Sequence, residues 1–144
     1  MAANTATKFN VAPALSVPYQ STDATARVGA YFDTRPYPLD AFFFEVKVVA
    51  LYADGSAAAT YWLAGLFRVA STGVVTQVGS TASVITAIED TGSMACTLAV
   101  GTPVNSGSGT GATNTEIQVT LTGVAATTIN WVLDNTIRHV PFSK

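Results

Sequence analysis

His139 is the only histidine among the 144 residues, so a Ser-His-Asp or Cys-His catalytic site would have to be assembled around it. It stands in Ile137-Arg138-His139-Val140, beside an arginine and near the terminus, a setting that reads as a surface or interface histidine. A zinc site would need two or three further His or Cys ligands, and the sequence supplies one thiol, Cys96. That thiol has no partner for an intrachain disulfide and runs in phase with Met94, Leu98 and Val100, so it reads as a small buried hydrophobe. The carboxylates are assigned mostly to turns (Asp54, Asp90, Asp134) or to outer strand faces (Glu45, Glu116), and no local pair marks a glycosidase couple. Asp33, Asp40 and Asp90 offer oxygens to a Ca²⁺ ion but do not alternate as a dedicated loop does. Gly107-Ser108-Gly109-Thr110-Gly111 has the glycines of a phosphate cradle without a following Gly-Lys-Ser/Thr or a helix pattern, and reads as flexible loop. A sugar-stacking platform would need Trp62, Tyr61, Trp131 or Tyr37 exposed on one face, whereas both tryptophans lie inside strong alternation and read as core. The expectation is a non-enzymatic protein with no catalytic residues, no cofactor and no metal.

Composition narrows the partners. Apolar residues make up 49% and charged residues 11%, against about a quarter charged in an ordinary soluble domain. A chain so poor in charge keeps itself soluble badly as a free monomer, so its surface is expected to be covered by copies of itself or by a partner. The net charge is −2 and the lysines and arginines are scattered, leaving no basic stripe for phosphates and no expected nucleic-acid partner. No positive segment followed by an apolar run opens the chain, so no secretory signal is expected. The longest mostly apolar run, 57–67, is too short and interrupted to span a bilayer, so no membrane partner is expected and the protein is made in the cytoplasm.

The elements that would position any site are strands. In 42–52 one face carries Phe42, Phe44, Val46, Val48, Ala50 and Tyr52 while the other carries Glu45 and Lys47, the period of two of a half-buried strand. Asp54-Gly55 ends it with a strong turn signal. Segment 60–70 has Trp62, Ala64 and Leu66 on one face and Tyr61, Leu63, Phe67 and Val69 on the other, as in a central or subunit-covered strand. Further strands are expected at 26–32, 74–79, 83–89, 94–100, 116–122, 127–133 and 136–140, with a Gly/Pro-rich loop at 101–115. This spacing predicts an all-β fold, an antiparallel two-sheet β-sandwich or jelly roll of about eight strands. Residues 1–25 form a separate zone, with Pro13 and Pro18 and no sustained period, that cannot bury enough apolar surface to fold alone. They read as an extended N-terminal arm preceding a domain at 26–144, with Phe9, Val11, Leu15, Val17 and Tyr19 expected to dock on a neighbouring surface.

The run Tyr61-Trp62-Leu63-Ala64-Gly65-Leu66-Phe67-Arg68 with Gly73-Val74-Val75-Thr76-Gln77-Val78-Gly79 resembles β-sandwich modules of tailed-bacteriophage virion proteins. So does Glu116-Ile117-Gln118-Val119-Thr120-Leu121-Thr122-Gly123 with Thr127-Thr128-Ile129-Asn130-Trp131, and the resemblance spans about 57–133. It implies a capsid decoration (cement) protein in the virion, a homotrimer that binds and stabilises the shell of major capsid protein, or else the head of a tail fibre or spike that contacts the host. A carbohydrate-binding module is the alternative of another class. The subunit interface is expected on apolar strand faces, at Phe43, Val49 and Leu51 and at Tyr61, Leu63 and Phe67.

Overall fold

The computed structural model describes residues 3–9, 16–79, 83–90, 93–103 and 114–142, and among them there is no helix. Ten strands form: β1 (Thr7–Lys8), β2 (Ser16–Ser21), β3 (Arg27–Asp33), β4 (Ala41–Tyr52), β5 (Ala58–Val69), β6 (Val75–Gln77), β7 (Ser83–Glu89), β8 (Ala95–Gly101), β9 (Glu116–Thr122) and β10 (Ile129–Val140). One sheet runs β1-β3-β9-β8. The other runs β2-β10-β4-β5-β6, with β7 also pairing along β5. The protein is an all-β two-sheet sandwich, as the spacing of alternating segments predicts.

Alternation decides which residues lie between the sheets. Along β4, Phe42, Phe44, Val46, Val48 and Ala50 are fully buried and their neighbours face outward. Ile117, Val119 and Leu121 of β9 and Cys96 and Leu98 of β8 enter the same core from the opposite sheet. Phe32 of β3 joins the layers at one end, its ring centroid 4.9 Å from Phe42 and 5.3 Å from Phe44, both edge-on. Such aromatic pairs contribute about 0.5–1.5 kcal/mol each beyond the area they bury. At the other end the Trp131 indole N–H donates to Ser21 Oγ at 2.8 Å, which lets a fully buried tryptophan keep its polar handle satisfied. The β4–β5 hairpin closes where expected. Gly55 takes φ +75, and Asp54 Oδ1 accepts from the Ser56 N–H at 2.9 Å.

Two expectations are corrected. The segments 127–133 and 136–140 are one strand, β10, so Asp134 and Asn135 are not a turn. The ladder to β4 runs unbroken from Ile129 opposite Tyr52 to Val140 opposite Ala41, and pairing on that scale overrides the local turn preference. The expected arm is also part of the sandwich. Residues 16–21 form β2, the edge of the larger sheet, paired with β10 from Ile129↔Ser21 to Asp134↔Ser16. Residues 3–9 form a strap across the open side: the Asn4 N–H donates to Gln20 O on β2, Thr7 and Lys8 pair in parallel with Ala30 and Tyr31 of β3, and the Phe9 N–H donates to Tyr31 O. Phe9, Val17 and Tyr19 are buried in the core of their own chain, whereas Val11 and Leu15 lie outside the described residues.

Candidate assembly surface

The inner side of the larger sheet is occupied by the core, and no described strand or loop covers its outer side. Register places the outward residues of neighbouring strands in rows. Pro18 of β2, Val132 of β10, Val49 of β4, Thr60 of β5 and Ile88 of β7 make one row. Asn130, Leu51 and Ala58 lie beside it on one flank. On the other flank Ser16, Asp134, Lys47 and Trp62 share a level, followed by Thr136, Glu45 and Ala64, and then by Arg138, Phe43 and Leu66. The large apolar side chains Phe43, Val49, Leu51, Trp62, Leu66, Ile88 and Val132 are between 37% and 64% exposed. Scattered apolar exposure is ordinary, but these residues are clustered on one sheet face, and such clustering marks contact surfaces.

Half of the expected interface is therefore placed differently. Phe43, Val49 and Leu51 face outward, while Tyr61, Leu63 and Phe67 are at most 3% exposed and belong to the core. The reason is register: Lys47 pairs with Trp62 and Phe43 with Leu66, so Trp62 and Leu66 share the outer face and their neighbours turn inward. Trp62 is not core. The signal was present in the sequence, because counting outward from Asp54-Gly55 already sets Lys47 opposite Trp62. Tyr61 is instead fixed inside, its hydroxyl donating to Glu89 Oε1 at 2.5 Å and its ring stacked on Trp131 at 6.5 Å. Burial and the Glu89 carboxylate together push its pKa well above the ordinary tyrosine value.

The residues that could do chemistry are committed elsewhere. The carboxylate of Asp40 meets His139 Nε2 at 2.6 Å and accepts from the Phe142 N–H at 2.7 Å, while the imidazole stacks on Phe42 at 4.7 Å. Burial alone would raise the Asp40 pKa, but the Phe142 N–H and His139 outweigh it and hold the carboxyl below its usual range. Asp33 binds the Arg35 guanidinium, and Asp90 accepts from the Ala58 N–H, so the three aspartates considered for Ca²⁺ serve separate partners. Among the described residues no group of three or more His, Cys, Asp or Glu is placed to hold a metal ion. Burial drives the Cys96 pKa up, so the buried sulfur is a thiol rather than a thiolate. The glycine-rich stretch 107–111 lies outside the described residues.

No family model, curated protein or solved structure matches this chain.

The charges of the outer face differ from those elsewhere. Asp23 is paired with Arg27, Asp33 with Arg35 and Asp40 with His139. Glu45, Lys47, Asp134 and Arg138 on β4 and β10, and Arg68 on β5, make no ion pair with one another or with any other described residue. The Lys47 ammonium lies 5.5 Å from the centroid of the Trp62 ring, and Asp134 accepts from Ser16 Oγ. The face thus combines exposed apolar rows with unpaired charges of both signs.

Proposed function

We propose that this protein is a non-enzymatic structural component of a phage virion, a decoration module that associates with copies of itself and binds the shell of major capsid protein. One observation carries the self-association: the clustered apolar outer face of the six-stranded sheet, on a chain with 11% charged residues. The likeness of the two tryptophan-containing segments, 61–79 and 116–131, to phage sandwich modules supplies the setting. The mechanism is multivalent burial, in which each oligomer grips several shell subunits and no single contact can release it alone. Phe9, Val17 and Tyr19 are engaged in their own core, so the capsid contact lies on other surfaces. Sedimentation at micromolar concentration is expected to show more than one chain, and purified shells lacking the protein are expected to bind it. A monomeric wild type, or shells that neither bind it nor gain thermal stability, overturns this function.

A second reading draws on Trp62, which is exposed beside Lys47 on a broad sheet face, as a sugar-stacking residue of a fibre head or carbohydrate-binding module would be. Binding to a glycan array that Trp62→Ala abolishes, with the fold intact, would favour that reading.

A further inference from the structure

We infer that the partner on this face is a second copy, packed about a two-fold axis running along the strands between β4 and β10, with Lys47 of each copy opposite Asp134 of the other. The inference rests on the self-association proposed above and adds its geometry. An isologous contact must be complementary to itself, and β4 and β10, the strands flanking the axis, carry two acids and two bases on this face, with Arg68 of β5 outside them. Rotation about an axis parallel to the strands keeps every residue at its own level and exchanges β4 with β10. Levels are given by the register: Lys47 with Asp134, Val49 with Val132, and Phe43 with Arg138. In the stacked pair each of these becomes a contact between copies. An ammonium meets a carboxylate, valine meets valine, and a guanidinium covers a phenyl ring, each occurring twice.

The competing two-fold axis, perpendicular to the strands, would lay β4 on β4 and set Lys47 against Glu45. It would then leave Asp134 opposite Thr136 and Arg138 opposite Val132, two charges per copy without a facing partner, whereas the parallel axis leaves one, the partly exposed Glu45 opposite Thr136. Both arrangements keep the stacked strands nearly aligned, as sandwiched sheets prefer, so the charges decide between them. Lys47 and Asp134 are register neighbours within one chain and yet form no ion pair there, which leaves both available to a second copy.

The test is a charge reversal followed by sedimentation equilibrium, with thermal unfolding of each variant as the control for folding. Lys47, Asp134 and Arg138 are exposed and Glu45 is partly exposed, so the reversals leave the core untouched. Lys47→Asp alone and Asp134→Lys alone each place two like-charge contacts in the pair and are expected to weaken association by about tenfold or more. The double variant Lys47→Asp/Asp134→Lys restores opposite charges across the axis and is expected to recover most of the loss. It cannot recover the contacts with Trp62 and Ser16, so rescue reports the intermolecular pair. Rescue by Glu45→Lys in place of Asp134→Lys would establish the perpendicular axis and overturn the inference. An assembly of three chains, or one indifferent to both reversals, also overturns the geometry while leaving self-association standing. A monomeric wild type sinks both.

Discussion

Phe9→Ala separates a docked strap from a free arm. Phe9 is 1% exposed and belongs to the core cluster shared by the two sheets. Truncating a buried phenylalanine to alanine costs about 3–5 kcal/mol, from lost transfer energy and the cavity left behind. The strap has an escape, however. Its backbone is held by the Asn4–Gln20 and Phe9–Tyr31 hydrogen bonds and the two-residue β1–β3 pairing, and it can leave the sandwich if the cavity becomes costlier than undocking. The measured loss is therefore the smaller of the cavity cost and the docking free energy. A loss of about 3 kcal/mol or more would be a large part of a total stability of about 5–15 kcal/mol. For a domain of this size it would lower Tm by about 10 °C. Urea unfolding followed by the emission of buried Trp131 gives the value, with exposed Lys8→Ala on the same strap expected to stay within about 0.5 kcal/mol. A Phe9→Ala loss under about 1 kcal/mol would mean that the strap does not seal the core. Limited proteolysis is an independent check, because a docked strap is cut slowly in the isolated protein and a free arm is cut at once.

Cys96→Ser is expected to lower stability by about 1–3 kcal/mol, since it puts a hydroxyl where a thiol packs, without changing the sedimentation of the folded protein. The wild-type thiol should resist disulfide reagents until urea unfolds the chain, and rapid native labelling would refute its burial. Thr115→Val should be neutral or stabilising by up to about 1 kcal/mol, because Thr115 Oγ1 is buried with no hydrogen-bond partner among the described residues and valine keeps the shape. A marked loss in urea unfolding would reveal a partner for that hydroxyl. Asp40 has a depressed pKa in the folded state, so its contribution is complete above the ordinary carboxylate value of about 4 and is lost as pH falls through the lower folded value. Asp40→Asn should accordingly flatten the fall of the urea midpoint below about pH 4, and an unchanged acid limb would refute the latch with His139 and Phe142. Trp62→Asp should disperse the oligomer with little change in monomer stability, whereas Leu63→Asp should unfold the chain, because the two residues lie on opposite faces of β5.

The strand class was legible because the chain carries clean alternation where one face is polar. Glu45 and Lys47 fix the phase of β4 by themselves, so the inward set Phe42, Phe44, Val46 and Val48 follows without further information. Segment 58–69 carries large apolar residues on both faces, and its one charge, Arg68, stands at the far end in phase with Trp62 and Leu66, a weaker marker than the central pair Glu45 and Lys47. That is why Tyr61, Leu63 and Phe67 were exchanged with Trp62 and Leu66 as the outer set. The N-terminal region misled for another reason. Val17, Tyr19 and Ser21 do alternate inward, but Pro18 interrupts the run, and proline is compatible with a strand when that strand is an edge. Its burial also depends on pairing with β10 at the far end of the chain, which local composition does not express.

The outer face shows most directly what pairing over long sequence separation adds. That Phe43, Val49 and Leu51 point away from the core follows from β4 alone. That Val132 extends their apolar rows, and that Asp134 and Arg138 stand level with Lys47 and Phe43, follows only from the β10–β4 register. A slip of one residue in that ladder would turn Val132, Asp134 and Arg138 inward and expose Trp131, Leu133 and Asn135, burying two charges with no partners. The buried set on β10 therefore holds the register, and the register composes the outer surface. Core packing of Trp131 and Leu133 and the placing of Asp134 and Arg138 on the opposite face are two consequences of one alignment. A substitution that shifts β10 should abolish folding and self-association together, whereas reversing Lys47 or Asp134 should affect association alone.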